Sequence, residues 1–530
     1  MKRKTLMRSL ALLFCGALAA TPLLIEKAAI LCFVLWTPFC FFLKRKLCEH
    51  DVSLGQAYLY GLLFFQGYFT TAFSFFIAMY PLDFANLDMV SSLVVILAAT
   101  ILLPLFQSAV FSLSILLLAL ANNKKLFVFP CSFSLFFSSL CLLFFYFQNF
   151  TWMGVPWASP ATALASTPLL LQSASLLGSL FLTFLILFIN ALLAEALDAF
   201  RNCFDRRALL SCSLAVILFF SNLCIGAVFI NTKQSEAESV KIALLQGNSP
   251  VKEPLSEWRL LDTYEDLAYQ AARDGASIML WPESVSYETI AGNEKMESYF
   301  CEIAKETGAI QIVGAFSLSE KADGYDCYNS LYIIYPSGEI GEEIYYKRRP
   351  VPFGEYLPWP KLFSTLIPAL TGINIRQRNI NAGTESNLFN TDIGKIGGLI
   401  CFDSIYPALA RQSVKDGAEL LVLSTNDTWF DGSFGKKLHA AHAVLRAVEN
   451  GRAVARTGNT GYSILIDKHG AVTAAVTPDQ SGYTVGTVYL SQEKTLYTRT
   501  GDLFVFAVAL FLILHPALCL MVRKRKKESI

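Results

Sequence analysis

Apolar and polar positions divide the chain into two regimes. Apolar blocks of a size that crosses a bilayer as helix occupy 6–21, 24–43, 54–80, 90–121, 126–147, 167–194, 208–230 and 502–522. The block at 90–121 is long and contains Pro104, which fits one kinked or tilted crossing. Between 231 and 500 the runs shorten and punctuation by Gly, Pro, Asn and Asp begins. Strands are predicted over 240–248 (closing on Gly247-Asn248), 277–284, 310–316, 328–335, 342–347, 395–400, 420–424, 453–457, 462–466, 471–476 and 482–488. Helical spacing is predicted near 256–273, 294–306, 404–416 and 438–450. Strands and helices alternate early and hairpins dominate late, so this block is an α/β or α+β domain with a layered sheet core. Three regions follow: a seven-helix bundle at 1–230, an outer domain at 231–500, and an eighth helix with a basic tail at 501–530.

Charge sharpens the membrane reading. Of 530 residues, 54% are hydrophobic and only 16% charged, too apolar for an ordinary soluble chain. Lys2, Arg3, Lys4 and Arg8, then Lys44–Lys46, Lys124 and Lys125, Arg201, Arg206 and Arg207, and finally Arg523–Lys527 fall in alternate loops. The intervening loops hold almost no bases, Lys27 excepted. By the positive-inside rule both termini are cytoplasmic and 231–500 lies outside the cytoplasm, in a bacterium on the periplasmic side. Ala17-Leu18-Ala19 resembles a signal cleavage site, but the next span follows almost directly, so the first helix is read as retained. The spans are nearly free of ionisable residues, which favours an anchor over a pump. The aromatic loop 150–157 is read as an interface anchor. No stripe of bases with aromatics is present, so nucleic acid is not expected as a partner. Of thirteen cysteines, only Cys301, Cys327 and Cys401 fall in the outer domain. The odd number leaves at least one thiol without a partner there. Cys401 is read as that thiol, and a Cys301–Cys327 bridge stays open.

Three strand ends in the outer domain carry chemistry. Glu283 follows Trp281-Pro282, Lys347 follows Ile344-Tyr345-Tyr346, and Cys401 follows Leu399-Ile400. Each also has an ordinary explanation, as a helix cap, a solvated lysine and a buried structural cysteine. Three such ends on one sheet edge would form a single pocket. A thiol nucleophile needs a proton acceptor. His439 and His442 are spaced i, i+3 on a predicted helix and read as surface or core residues, because no HExxH motif or Cys/His ligand set accompanies them. No GxSxG elbow or P-loop occurs. A carboxylate base with a cationic stabiliser is the natural complement to the thiol, and no metal or cofactor is called for.

Trp281-Pro282-Glu283-Ser284, Lys347-Arg348-Arg349-Pro350-Val351-Pro352-Phe353-Gly354-Glu355-Tyr356-Leu357-Pro358 and Gly398-Leu399-Ile400-Cys401-Phe402-Asp403 resemble the Glu-Lys-Cys sites of the carbon–nitrogen hydrolase (nitrilase) superfamily. With the flanking spans, the whole chain resembles its bacterial apolipoprotein N-acyltransferase branch. Asn426–Phe430, Arg446–Arg452 and Gly154–Trp157 are similar to that family as well. The resemblance implies a multi-pass helical bundle carrying an αββα sandwich on the outer face of a bacterial inner membrane. It implies Glu283 as base, Cys401 as acyl carrier and Lys347 with the Phe402 N–H at the oxyanion, with Glu355 orienting Lys347 or substrate. The donor would be a membrane phospholipid and the acceptor a diacylglyceryl lipoprotein. Phe402-Asp403 stands where many members carry Tyr-Glu, which leaves the roles of those two side chains open. A membrane-tethered amidase or nitrilase using water would employ the same three residues. A lipid transporter or scaffold with an inactive outer domain is the reading from another class.

Overall fold

The computed structural model describes residues 2–48, 52–82, 88–151, 153–201, 206–231, 238–249, 256–321, 324–366 and 379–528. It resolves into two compact units, one comprising 1–74, 97–231 and 500–530, the other 75–96 and 232–499.

The first unit is helical. Among the described residues, five helices are long and apolar enough to cross a membrane: Arg3–Leu24, Glu26–Cys48, Met89–Asn123, Ser179–Phe200 and Ala208–Ile230. Ser132–Phe147, Pro168–Leu177 and Leu503–Cys519 are apolar but shorter. Several expected spans are interrupted. The run at 24–43 begins as a 3-10 turn, Glu26–Phe33, and turns α-helical only at Thr37–Cys48. The break is held by Asn190, whose Oδ1 accepts from the Trp36 N–H at 2.9 Å and the Thr37 hydroxyl at 3.0 Å, while its Nδ2 donates to the Cys32 carbonyl at 2.8 Å. A side-chain amide thereby satisfies backbone groups that the broken helix leaves open. The run at 54–80 is α-helical only over Leu54–Ala72, and Ser74–Met79 is a 3-10 turn. The run at 90–121 passes through a π-helical turn, Ala98–Leu102, ahead of Pro104, whose missing N–H breaks the α ladder there. Trp157 in the aromatic loop is buried in the unit; Trp152 lies outside the described residues.

The Lys2–Leu24 helix is locked against Leu54–Ala72 by two glycines. A Cβ on Gly16 would lie 1.9 Å from the Phe64 carbonyl oxygen, and one on Gly67 would lie 2.0 Å from the Leu13 carbonyl oxygen. Small residues allow backbones to approach this closely in apolar surroundings. Gly67→Val is therefore expected to destabilise the helical unit by about 3 kcal/mol, the upper range of overpacking, read as a lowered unfolding midpoint in detergent.

The second unit contains two six-stranded sheets. The first has the order β12-β1-β2-β3-β4-β5 and the second β11-β10-β9-β8-β7-β6. In chain order these are β1 Ser239–Gln246, β2 Ile278–Leu280, β3 Ile310–Lys321, β4 Gly324–Ile334, β5 Tyr345–Tyr346, β6 Leu388–Thr391, β7 Gly394–Ile400, β8 Leu420–Thr425, β9 Val454–Gly458, β10 Ile464–Ile466, β11 Val472–Ala475 and β12 Gly482–Tyr489. Period-two alternation sorts their side chains between layers. Val240, Ile242 and Leu244 of β1 join Ile278 and Leu280 of β2 in a core shared with Ile396, Ile400, Leu420 and Val422 of the opposite sheet. Ala243, Leu245 and Met279 point the other way, onto the helices Glu257–Arg273 and Glu294–Thr307. Helices Pro407–Asp416 and Gly435–Asn450 accompany the second sheet. This is the αββα sandwich the resemblance implies. Burial on both faces explains why the parallel strands read as near-continuous apolar runs.

Phe75, just beyond the Leu54–Ala72 helix, packs within this second unit, edge-on to Phe430 at 5.3 Å and Phe434 at 5.8 Å. No disulfide joins Cys301 and Cys327, which answers the question of a bridge left open above. Cys301 lies against the outer helical layer, whereas Cys327 packs with Phe316 and Ile380.

Candidate active site

The sandwich brings the ends of β2, β5, β7 and β8 together. Beyond β2, the Trp281 N–H donates to the Ile312 carbonyl at 2.9 Å and the Trp281 carbonyl accepts from the Ser424 hydroxyl at 2.7 Å. The Glu283 N–H reaches the Thr425 carbonyl at 3.4 Å. The Glu283 loop of one sheet is thus tied to the last residues of β8 in the other. Gly314 makes room for it, since a Cβ there would lie 2.2 Å from the Pro282 carbonyl oxygen.

Glu283 is 7% exposed and Lys347 only 1%. Lys347 Nζ lies 2.9 Å from Glu283 Oε1 and 2.8 Å from Glu355 Oε2. Asn329, on β4, donates through one Nδ2 to both carboxylates, at 2.7 Å to Glu283 and 2.9 Å to Glu355. The Asn426 N–H holds the other oxygen of Glu283 at 3.0 Å, and the Val351 N–H holds Glu355 at 2.7 Å. A buried charge persists only when paired and hydrogen-bonded, and each group here is. Burial opposes the charge on Lys347, but Glu283 and Glu355 more than reverse it and raise its pKa well above the ordinary lysine value. Glu355 is held below the ordinary carboxylate value: burial opposes its charge, and Lys347, Asn329 and the Val351 N–H outweigh that.

Cys401 ends β7 with φ +49°, in the left-handed region, a conformation that costs a residue with a Cβ about 1–2 kcal/mol. The surrounding protein pushes its thiol well up in pKa; the Glu283 carboxylate adds to this and Lys347 opposes it. Burial thus disfavours the thiolate form of this sulfur.

Asp403 and Phe402 prove to have definite structural roles. The Asp403 carboxylate accepts from the Ile400 N–H at 3.1 Å, the Arg349 N–H at 2.8 Å, the Arg348 N–H at 3.4 Å and the Tyr345 hydroxyl at 2.8 Å. It joins the segment after Lys347 to the turn after Cys401. Burial raises its pKa, against opposition from Lys347, Tyr345 and the Ile400 N–H. The Phe402 ring is buried edge-on to Tyr406 at 5.5 Å.

Other members of the cluster carry no local sequence signal. Asn329 sits mid-strand. His439, expected at the surface or in the core, is fully buried beneath Cys401, with Nε2 3.1 Å from the Cys401 carbonyl oxygen and Nδ1 2.7 Å from Asp427 Oδ1. Its contact with Cys401 is to the backbone carbonyl.

Comparison with known proteins identifies the family. Residues 241–496 match the carbon-nitrogen hydrolase family, and residues 14–192 match the apolipoprotein N-acyltransferase N-terminal domain. The chain is 30% identical over 368 residues to the apolipoprotein N-acyltransferase of Geobacter metallireducens, covering 68% of this chain and 69% of that one. The chain belongs to the apolipoprotein N-acyltransferase family. Proteins of the same name from Shewanella oneidensis, 29% identical over 72% of this chain and 73% of theirs, and Thermotoga maritima, 28% over 75% and 73%, are also similar. Among solved structures, an amidase from Nesterenkonia sp. covers 51% of this chain and 97% of its own, with TM-score 0.37 and 19% identity.

Proposed function

We propose that this member of the family acylates lipoprotein N-termini by a two-step transfer through Cys401. The supporting observation is Lys347, buried and charged between Glu283 and Glu355 beside the thiol. Glu283 takes the Cys401 proton as sulfur attacks an ester carbonyl of a membrane phospholipid, by family resemblance the sn-1 acyl group of phosphatidylethanolamine. Lys347 and the Phe402 N–H hold the oxyanion, each such donor being worth ~3 kcal/mol. The C–O bond breaks, Glu283 returns the proton to the departing lysophospholipid alkoxide, and a thioester remains. The α-amine of a diacylglyceryl-cysteine then attacks, Glu283 accepts its proton, the C–S bond breaks, and the proton returns to sulfur. Glu355 keeps Lys347 in place and charged. No cofactor or metal takes part.

The apolar helices and the family place the chain in a membrane. Its orientation follows the basic loops, with seven spans, a periplasmic catalytic domain at 231–500 and a final span, both termini being cytoplasmic. Two lipid-bearing substrates are expensive to extract from a bilayer, at about 0.8 kcal/mol per CH₂, which suits an enzyme anchored there. The match of residues 14–192 to the acyltransferase N-terminal domain favours transfer over the amidase alternative.

Full-length enzyme incubated with acyl-labelled phosphatidylethanolamine and no acceptor is expected to show the acyl mass on Cys401 and to release it on addition of a diacylglyceryl lipopeptide. Glu283→Gln is expected to slow both half-reactions. Turnover without label ever residing on Cys401 would overturn the mechanism.

A further inference from the structure

A second buried cluster lies directly beneath the nucleophile, and the mechanism above leaves it unused. Asp427, His439 and Arg456 are each fully buried. Asp427 Oδ1 faces His439 Nδ1 at 2.7 Å, and its Oδ2 faces Arg456 Nη2 at 2.5 Å. The Thr425 hydroxyl adds a bond to Oδ1 at 3.1 Å. The imidazole is therefore oriented from one side. On the other, Nε2 lies 3.1 Å from the Cys401 carbonyl oxygen, and the Ser404 hydroxyl donates to the same oxygen at 2.8 Å. Nε2 also lies 3.2 Å from the Ser404 hydroxyl oxygen, so the imidazole and that hydroxyl together hold the Cys401 carbonyl oxygen, which can only accept.

That carbonyl belongs to the same peptide group as the Phe402 N–H. A trans peptide is planar, and its C=O and N–H point in opposite directions. Fixing the oxygen on the buried side fixes the N–H on the opposite, site-facing side.

Building on the acyl-transfer reading, we propose that His439, oriented by Asp427, is a positioning residue that locks the Cys401–Phe402 peptide so that the Phe402 N–H meets the developing oxyanion. It acts on acyl chemistry through the hole and leaves the nucleophilicity of the sulfur alone.

These two effects separate experimentally. Alkylation of Cys401 by iodoacetamide forms a C–S bond at a saturated carbon, with no oxyanion. Acylation by labelled phospholipid passes through one. In full-length enzyme, His439→Leu is expected to lower the single-turnover acylation rate about 10²-fold, the effect of one oxyanion donor. KM for phospholipid and the alkylation rate of Cys401 should stay within about twofold. His439→Gln, which offers an N–H toward Cys401, should recover at least tenfold of the loss. Where His439→Leu does not accumulate as folded protein, His439→Asn, too short to span from Asp427 to Cys401, carries the same expectations. Parallel loss of alkylation and acylation, or unchanged acylation, overturns the proposal while label on wild-type Cys401 keeps the acyl-transfer reading standing. A wild-type enzyme that never carries label on Cys401 overturns that reading and this proposal with it.

Discussion

Cys401→Ala should abolish acyl transfer while leaving the fold intact. The expected loss is at least ~10³-fold in kcat, since removal of a covalent nucleophile leaves only binding and the oxyanion donors. The side chain sits at a turn whose geometry is set by backbone contacts, with the Cys401 carbonyl held by Ser404 and His439. The thermal midpoint should therefore barely move, and labelled phospholipid should still bind without forming an adduct. Cys401→Ser should be almost as inactive, because a hydroxyl is a far weaker acid than a thiol and this pocket already raises the thiol's pKa. Retention of more than a few per cent of transfer activity by Cys401→Ala would exclude the covalent mechanism.

Lys347→Met is expected to lose activity and stability together. Removing the ammonium deletes an oxyanion donor, a loss of about 10²–10³ in rate. It also leaves Glu283 and Glu355, both joined to Asn329, as buried carboxylates without their cation. Breaking a buried pair in this way costs about 3–5 kcal/mol. The pH dependence follows from the sign of the shift. The folded pKa of Lys347 is raised, so its stabilisation is complete below the ordinary lysine value of about 10.4 and is lost only as pH climbs through the higher folded value. The difference in midpoint between wild type and variant should stay constant from neutral pH to about 10 and shrink only in stronger alkali. A difference that vanished near neutrality would show that Lys347 is not charged in the folded site.

The parts that could be read from sequence were those with one dominant local cause. Short apolar runs locate β1, β3, β4 and β8, because most residues of each strand are buried. Glu283, Lys347 and Cys401 were recognisable because each terminates an apolar run. Elements governed by competing causes were misplaced. The strand expected at 342–347 contracts to Tyr345–Tyr346, its first half taken by the loop around Glu342 and Glu343. The helix expected from 404 starts at Pro407, because Ser404 belongs to a 3-10 turn over Cys401–Ile405 and the fixed φ of proline suits a first helical position. The strand Leu388–Thr391 is too short and too polar to stand out. Asp427, His439 and Arg456 come from three separate elements. Their convergence is a property of the second sheet and its covering helix, so no stretch of sequence announces it. Asp403 shows a related limit: whether a carboxylate at that position acts on substrate or on backbone depends on which donors surround it, and four donors from two segments, 345–349 and Ile400, do.

The two sheets divide the reactive groups between them. Glu283, Lys347 and Asn329 hang from the first, and Cys401 hangs from the second. Neither half is chemically competent by itself. On the acyl-transfer reading proposed above, a newly made chain would carry a sulfur with no base at hand and a base with nothing to deprotonate. Closure of the sandwich would then act as a safety catch, withholding reactivity toward surrounding lipid esters until the pocket is complete.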